Sequence, residues 1–544
     1  MQRIEKYVLV LMYEFNHISL AVGMEGMMNS ILSKLIPSSN EANGFVIQGA
    51  ASARTARQSR VSHFLFVFLV LSLALFVQSA KAQVTSADYY FLDPGDRWLF
   101  SVTANGDVRD VASAAAADTT LINGVATRAV ELSDGSKFFI TIDEQGVRIY
   151  RLVQPAAIPV GPGVFADVII TLDPPADILA AVVNDGEMVS TNGTATMELV
   201  GIGTGTVDYQ AQSTFIGIDS VTVPAGTFSD TMHVLPTLSL SGALLGQPFA
   251  QTISIEQWVG RDLSFVRYVQ DVDGTAATYE LVSSSRLVSS IPVFSSLLPT
   301  SRSVQTGTPA TVFSTIINAG TETATQCRIA PVNSLPAAFS YQTTDPATNA
   351  VTGTADTPVD ITAGNFQTFV LSLTPSAAID PTDVEFAFAC TNSAFAGNIP
   401  GVNSLLLSAS DTPVPDIVAL AATPSANGIV ELPGSVGSNA LAVATVNVGA
   451  SADIIATPDT GGVTLPVSLS ICETNPSTGV CINPATPAAS VTTTINANAT
   501  PTFAIFVTGS DFVTLDPAVN RVFVRFQDTS GVTRGSTSVA VQTL

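Results

Sequence analysis

An all-β chain is predicted, a curved antiparallel sheet followed by two β-sandwiches, and three observations predict it. From Gln83 onward, apolar residues recur with a period of two in short runs bounded by Gly, Pro, Asn, Asp and Ser. Only Ala176–Val183, directly after Pro174-Pro175, looks briefly helical. The last part of the chain also repeats itself. Three of its phrases return 129, 134 and 138 residues later, a drift that small loop insertions between related units produce.

A leader precedes the β-rich part. Phe64–Val77 is an uncharged run of 14 residues, shorter than the roughly 20 that a membrane-crossing helix needs. Arg54, Arg57 and Arg60 come before it and Ala80 and Ala82 after it, the layout of a secretory signal peptide cut between Ala82 and Gln83. An uncleaved anchor is the alternative. Residues 61–82 are therefore read as the signal peptide, with no stable transmembrane span left after cleavage. No cysteine stands at the expected cut, where Gln83 follows Ala82, which excludes lipoprotein processing. Residues 1–60 are long for the head of such a leader, and five of the eight methionines fall within the first 28 positions. Translation is expected to start downstream, at Val61 if its codon is GTG, with 1–60 a start-site artefact or a disordered extension. A genuine amphipathic segment at Tyr7–Tyr13 is the other reading. The location expected from the leader is extracytoplasmic: secreted, periplasmic or on the cell surface.

Beyond the cut stand 40 acidic against 14 basic residues, with Lys137 the only lysine and His233 the only histidine. A surface this acidic repels phosphate backbones, so a nucleic-acid partner is excluded; it favours solubility and tolerance of salt. Cys327, Cys390, Cys472 and Cys481 are an even set in an exported chain, which suggests disulfides between nearest neighbours, Cys327–Cys390 and Cys472–Cys481. A zinc site wants N and S ligands in tight pairs. No Cys-x-x-Cys and no nearby histidine supply them, so no metal and no cofactor is expected.

The first unit is read over 83–289. Arg128–Leu132, Lys137–Ile142 and Val147–Arg151 form a three-strand meander, with Phe138, Ile140 and Ile142 on one face. Asn105-Gly106 and Asp273-Gly274 are hairpin turns of the kind that needs positive φ, and Pro224-Ala-Gly226 turns between Ile218–Val223 and Thr227–Val234. Trp98 and Trp258 sit in apolar alternation and are read as core or cavity-lining aromatics. Together with Phe138 and Ile140 they are the candidates for lining a ligand cavity.

Three phrases of this unit occur in order: Tyr89-Tyr-Phe-Leu-Asp-Pro-Gly-Asp-Arg-Trp98, Val221-Thr-Val-Pro-Ala-Gly-Thr-Phe-Ser-Asp230, and Trp258-Val-Gly-Arg-Asp-Leu-Ser-Phe-Val-Arg267 with Tyr279-Glu-Leu281. The set resembles exported bacterial β-domains of unassigned function with a lipocalin-like or lipoprotein-carrier half-barrel. That resemblance covers about 85–285 and implies a concave apolar face able to take a lipid-like ligand, with no catalytic residues to carry over. One departure stands out, because Asp262-Leu263-Ser264 occupies a place where a Gly-x-Gly-like turn is common.

After the Ser-rich stretch at 283–292 basic residues become rare, and two units follow, over 290–410 and 411–544. Thr311–Gly320 parallels Ala442–Gly449, Phe366–Thr374 parallels Pro501–Thr508, and Val384–Cys390 parallels Val522–Asp528. Unit length and strand spacing fit immunoglobulin-like sandwiches. Ile317-Asn-Ala-Gly320 resembles bacterial Ig-like domains of the CARDB group, which implies architecture more than activity. The prolines of Ser408–Pro415 favour an extended connection between the two units.

No catalytic constellation emerges. A hydrolase triad would depend on His233, placed as an ordinary strand residue in Thr231–Leu235; thiol catalysis would need a free cysteine. Gly201-Ile-Gly-Thr-Gly205 lacks the spacing and the following helix of a dinucleotide loop. Asp271-Val-Asp-Gly274 lacks the remaining ligands of a calcium loop. The leading expectation is a non-enzymatic exported protein whose Ig-like units contact a protein or a surface glycan. The alternative is a carrier or sensor of an apolar small molecule in the N-terminal sheet. A weaker alternative is a glycan-active enzyme using two carboxylates. A deep apolar cavity in 85–285 favours the carrier, and two carboxylates facing across an open cleft favour the enzyme.

Overall fold

The computed structural model describes residues 83–161, 164–287 and 291–544, so the signal-peptide and start-site readings over 1–82 lie outside the described residues. Two short strands come first and midway: β1 (Val84–Thr85) pairs with β8 (Val182–Val183). Between them run β2 (Arg97–Ala104), β3 (Asp107–Ile122), β4 (Val125–Leu132), β5 (Lys137–Asp143), β6 (Gly146–Gly161) and β7 (Val164–Ala180). After β8 follow β9 (Met188–Leu199), β10 (Gly203–Val223), β11 (Gly226–Leu244), β12 (Gln247–Gly260), β13 (Ser264–Val272) and β14 (Thr275–Ser284). Twelve of these strands form a closed up-and-down barrel, because β14 pairs back onto β2 and β9 joins β7 to β10.

The closure corrects the expected half-barrel. Strands on the 139–260 side are longer than their turn signals suggest, up to 21 residues in β10, and their pairing leaves no free edge to stop the sheet. The expected helix at Ala176–Val183 is also corrected. Its alanines favour a helix locally, but the backbone pairs with β6 in the register Val147↔Leu179 and Ile149↔Ala176. Ile178 and Leu179 are thereby buried in the barrel core, so tertiary pairing overrides local propensity.

The expected turns form. Asn105-Gly106 and Asp273-Gly274 both have positive φ at both positions (53° and 89°, 51° and 88°), and Val223 pairs with Gly226 across Pro224-Ala225. Along β10 the alternation is regular: Val207, Tyr209 and Ala211 are buried, while Asp208 and Gln210 are exposed. Apolar side chains thus point inward and polar ones outward, the reverse of the lipid-facing pattern of a membrane-spanning barrel. Among the described residues no helix is long and apolar enough to cross a membrane.

Two apolar clusters fill the barrel. One, around Trp98, Phe215, Met232 and Val259, lies toward the end bearing the β10–β11 and β12–β13 turns. The other, around Leu152, Ile170, Met197 and Leu240, is built by the long strands β6, β7 and β9–β11. A barrel of this many strands is too wide for wall side chains alone to fill, and the chain before β2 helps fill it. Tyr89 and Tyr90 are almost wholly buried in the first cluster.

Residues 293–543 form two modules of facing sheets. The first contains β15 (Val293–Leu298), β16 (Ser301–Gln305), β17 (Ala310–Asn318), β18 (Ala324–Pro331), β19 (Ala337–Thr344), β20 (Val359–Ile361), β21 (Phe366–Pro375), β22 (Ile379–Val384), β23 (Phe386–Ala389) and β24 (Leu405–Ser410). The second contains β25 (Ile417–Ala422), β26 (Ile429–Leu432), β27 (Ser438–Asn447), β28 (Ala452–Asp459), β29 (Val467–Thr474), β30 (Cys481–Ala488), β31 (Val491–Ile495), β32 (Thr502–Gly509), β33 (Arg521–Asp528) and β34 (Thr533–Thr543).

The strand orders match. β15-β17-β21-β19 in the first module corresponds to β25-β27-β32-β29 in the second, which adds β30 at the edge. On the other side, β16-β24-β22 and β23-β18-β20 correspond to β26-β34-β33-β28-β31, with β33 broken in the first module into β22 and β23 at Glu385. β16 and β26 each pair parallel with the last strand of their module. The repeated phrases occupy equivalent places. Asn318 and Asn447 are fully buried, and each donates to a carbonyl across the module, Ile361 at 2.8 Å and Ile495 at 3.0 Å. Each also accepts from the glycine two residues on.

Both disulfides pair nearest neighbours. Cys327–Cys390 joins β18 to the residue just past the end of its neighbour β23, while Cys472–Cys481 closes the turn between β29 and β30. The barrel and first module share a small core of Leu99, Ala112 and Val282 against Ala330, Ala387 and Ala389. Beside it, Arg328 pairs with Asp110 at 2.9 Å, Arg97 pairs with Glu385, and the Ser283 hydroxyl donates to the Ser393 carbonyl at 2.7 Å. The two modules meet through Arg302 and Asp416, 2.9 Å apart and both nearly buried. The extended connection is therefore anchored at its end by a largely buried ion pair.

Candidate functional site

Where the two apolar clusters of the barrel meet, they do not fill the space between them. The cavity left there is partly open to solvent and has a volume of ≈ 100 Å³. Alternation places its walls. Phe138 and Ile140 of β5 face Leu152 and Ile149 of β6 in register, and Ile253, Ile255 and Gln257 of β12 stand on the inward face. Leu172 and Ile178 of β7 and Leu238 of β11 complete the apolar surround.

One wall is aromatic. Phe100 meets Tyr268 edge to face at 5.6 Å, Tyr268 stacks on Tyr279 at 4.2 Å, and Phe265 meets Tyr90 at 6.1 Å. Such pairs fix ring orientation as well as burying area. Polar groups are few. The Gln257 amide donates to the Tyr90 phenol oxygen at 2.7 Å, and Asp177 accepts from the Thr191 hydroxyl at 2.9 Å. Burial pushes the Tyr90 and Tyr268 phenols well above their ordinary range, so both stay protonated donors.

Of the four residues predicted to line a cavity, Phe138 and Ile140 do so. Trp98 and Trp258 lie elsewhere, each for a physical reason. Trp98 points into the core on the same face as Phe100, but one step deeper; its indole donates to the Leu263 carbonyl at 2.9 Å and meets Phe265 edge to face. Trp258 takes the outer face, because Gln257 takes the inner one. It stacks on His233 at 4.5 Å, and Arg267 covers it at 4.6 Å. His233 in turn lies 3.1 Å from Glu256. A bulge between Trp258 and Val259 shifts the register beyond this point; no local signal in the sequence announced it.

Missed by sequence reasoning were Tyr90, Gln257, Phe265 and Tyr268. Tyr90 and Phe265 lie within the phrases quoted above and Gln257 and Tyr268 flank the third, but the phrases do not show which of their residues face the cavity. The three phrases converge at one end of the barrel: the Tyr89 hydroxyl donates to Asp230 at 2.5 Å, and Arg261 bonds Asp230 at 2.7 Å, Asp88 at 3.1 Å and Tyr89 at 2.8 Å. Arg261 also lies over the Tyr89 ring at 4.5 Å. Burial and the bond to Asp230 push the Tyr89 phenol up to about 12. This network ties the entering segment to β11 and to the β12–β13 turn, next to Tyr90 at the cavity. Among the described residues no cluster of His, Cys, Asp or Glu is arranged to hold a metal ion.

The fold and cavity define the class: a closed antiparallel barrel around an apolar space, followed by two repeated β modules. No family model matches the chain, and no curated protein does. Among solved structures, a candidate lipoprotein from Parabacteroides distasonis is similar at 14% identity over 36% of this chain and 97% of that one, with a TM-score of 0.23.

Proposed function

We propose that this is an exported, non-enzymatic binding protein whose N-terminal barrel holds an apolar small molecule. The observation that carries the reading is the cavity between the two barrel clusters, walled by apolar and aromatic side chains with few polar anchors. Natural cores close to crystal-like density, so an apolar space of this kind inside a barrel is a place for a guest. The two disulfides, one within each module, support an extracytoplasmic location. We read the modules as Ig-like, on the strength of their shared strand order and the parallel pairing of β16 and β26 with the last strands. In that reading they contact a protein or a surface glycan.

The test uses the full mature chain. Organic extracts of native protein are compared with buffer blanks by mass spectrometry, and binding of the neutral fluorophore 1-aminoanthracene is measured by titration. Ala211, which lines the cavity, is then replaced by Phe to fill it. The proposal expects saturable binding, weakened roughly ten-fold or more by Ala211→Phe as the ring takes up the guest's space. Blank extracts together with no saturable binding, or an affinity unchanged in Ala211→Phe, would overturn it.

A further inference from the structure

We infer that the molecule held in the barrel is uncharged: an apolar compound with one hydroxyl or carbonyl group, and neither a fatty-acid anion nor a phosphate-bearing lipid. This rests on the cavity reading above. Among the described lining residues there is no Lys, Arg or His, whereas Asp177 contributes a carboxylate. Asp177 itself is partly buried. Thr191 holds it at 2.9 Å, and its charge acts on the buried Tyr209, whose phenol is pushed up to about 12 mainly by burial.

The cations of the barrel are engaged elsewhere. Arg267 lies over Trp258 on the outer face, Arg148, a largely buried residue of β6, pairs with Asp143 at the β5–β6 turn and does not line the cavity, and Arg261 is committed to Asp88 and Asp230. A guest carboxylate or phosphate would enter a space with a like charge and no counter-charge, and would leave its hydration behind. A neutral oxygen meets no such penalty. The Tyr90 phenol accepts from Gln257 at 2.7 Å, and its own proton has no acceptor among the described residues. It is a ready donor to a carbonyl or hydroxyl oxygen at the cavity wall. The net charge of −23 adds a long-range field of the same sign.

The experiment displaces bound 1-aminoanthracene from the wild-type full mature chain with three competitors of one chain length at neutral pH: 1-octanol, methyl octanoate and octanoate. The expected result is displacement by the alcohol and the ester, with octanoate weaker by roughly a hundred-fold. Octanoate within about three-fold of the neutral pair, a difference of under a kcal/mol, would overturn the inference while leaving the cavity reading intact. Failure of the fluorophore itself to bind would remove the cavity reading, and this inference with it.

Discussion

Ser264 offers a substitution that should stabilise the barrel. It opens β13 with φ at 65°, is fully buried, and its hydroxyl finds no hydrogen-bond partner among the described residues. A non-glycine residue in the left-handed region costs about 1 kcal/mol or more, and an unsatisfied buried hydroxyl costs about 1–3 kcal/mol. Ser264→Gly removes both penalties. Against it stand about 0.5–1 kcal/mol for the freer unfolded chain and about 0.8 kcal/mol for the lost buried methylene. The balance is a stabilisation of about 1 kcal/mol, or a rise of about 2–4 °C in midpoint for a unit of this size. Both tryptophans of the chain, Trp98 and Trp258, belong to the barrel, so indole fluorescence reports its unfolding separately from the modules. Trp98 bonds the Leu263 carbonyl next to the substituted position, which makes that signal local as well. A midpoint that is unchanged or lower, with unchanged denaturant slope, would refute the reasoning.

Two further outcomes are expected. Arg328→Met should cost about 3–5 kcal/mol at neutral pH, because Asp110 would remain buried without its partner. Burial already raises the Asp110 carboxyl against the pull of Arg328, and removing the arginine raises it further. A carboxyl whose folded pKa exceeds its unfolded value favours the fold when protonated. The deficit should therefore grow as pH rises above about 4 and shrink on acidification, as urea midpoints across that range would show. Replacing Cys327 and Cys390 together by alanine should cost about 4 kcal/mol, and Cys472 with Cys481 about 3 kcal/mol, since the longer loop frees more chain. Equal losses in calorimetry would argue against loop entropy as the source.

Sequence alone determined the local features of this protein. Strict alternation at 128–151 gave the meander and put Phe138 and Ile140 on one face. Asn105-Gly106 and Asp273-Gly274 gave their turns, because few residues tolerate the required φ. At Asp262-Leu263-Ser264 both outer positions adopt positive φ, 59° and 65°, where glycine would sit without strain. The spacing of Asn318 and Asn447 revealed the repeat before its shared hydrogen bonds were seen, and proximity in sequence gave both disulfides.

Tertiary structure alone decided the rest. Alternation separates two faces of a strand but does not say which faces inward, so Trp258 could be assigned to the cavity until its neighbour Gln257 was found there. Closure depends on β14 meeting β2, strands that begin 178 residues apart (Arg97 and Thr275), and no local pattern encodes such a pairing. The helix expected at Ala176–Val183 failed for the same reason: its backbone partners lie on β6, about 30 residues away. The cavity has the same origin. Each wall residue is an ordinary apolar strand position, and only the barrel's diameter leaves a space between the clusters that those residues build.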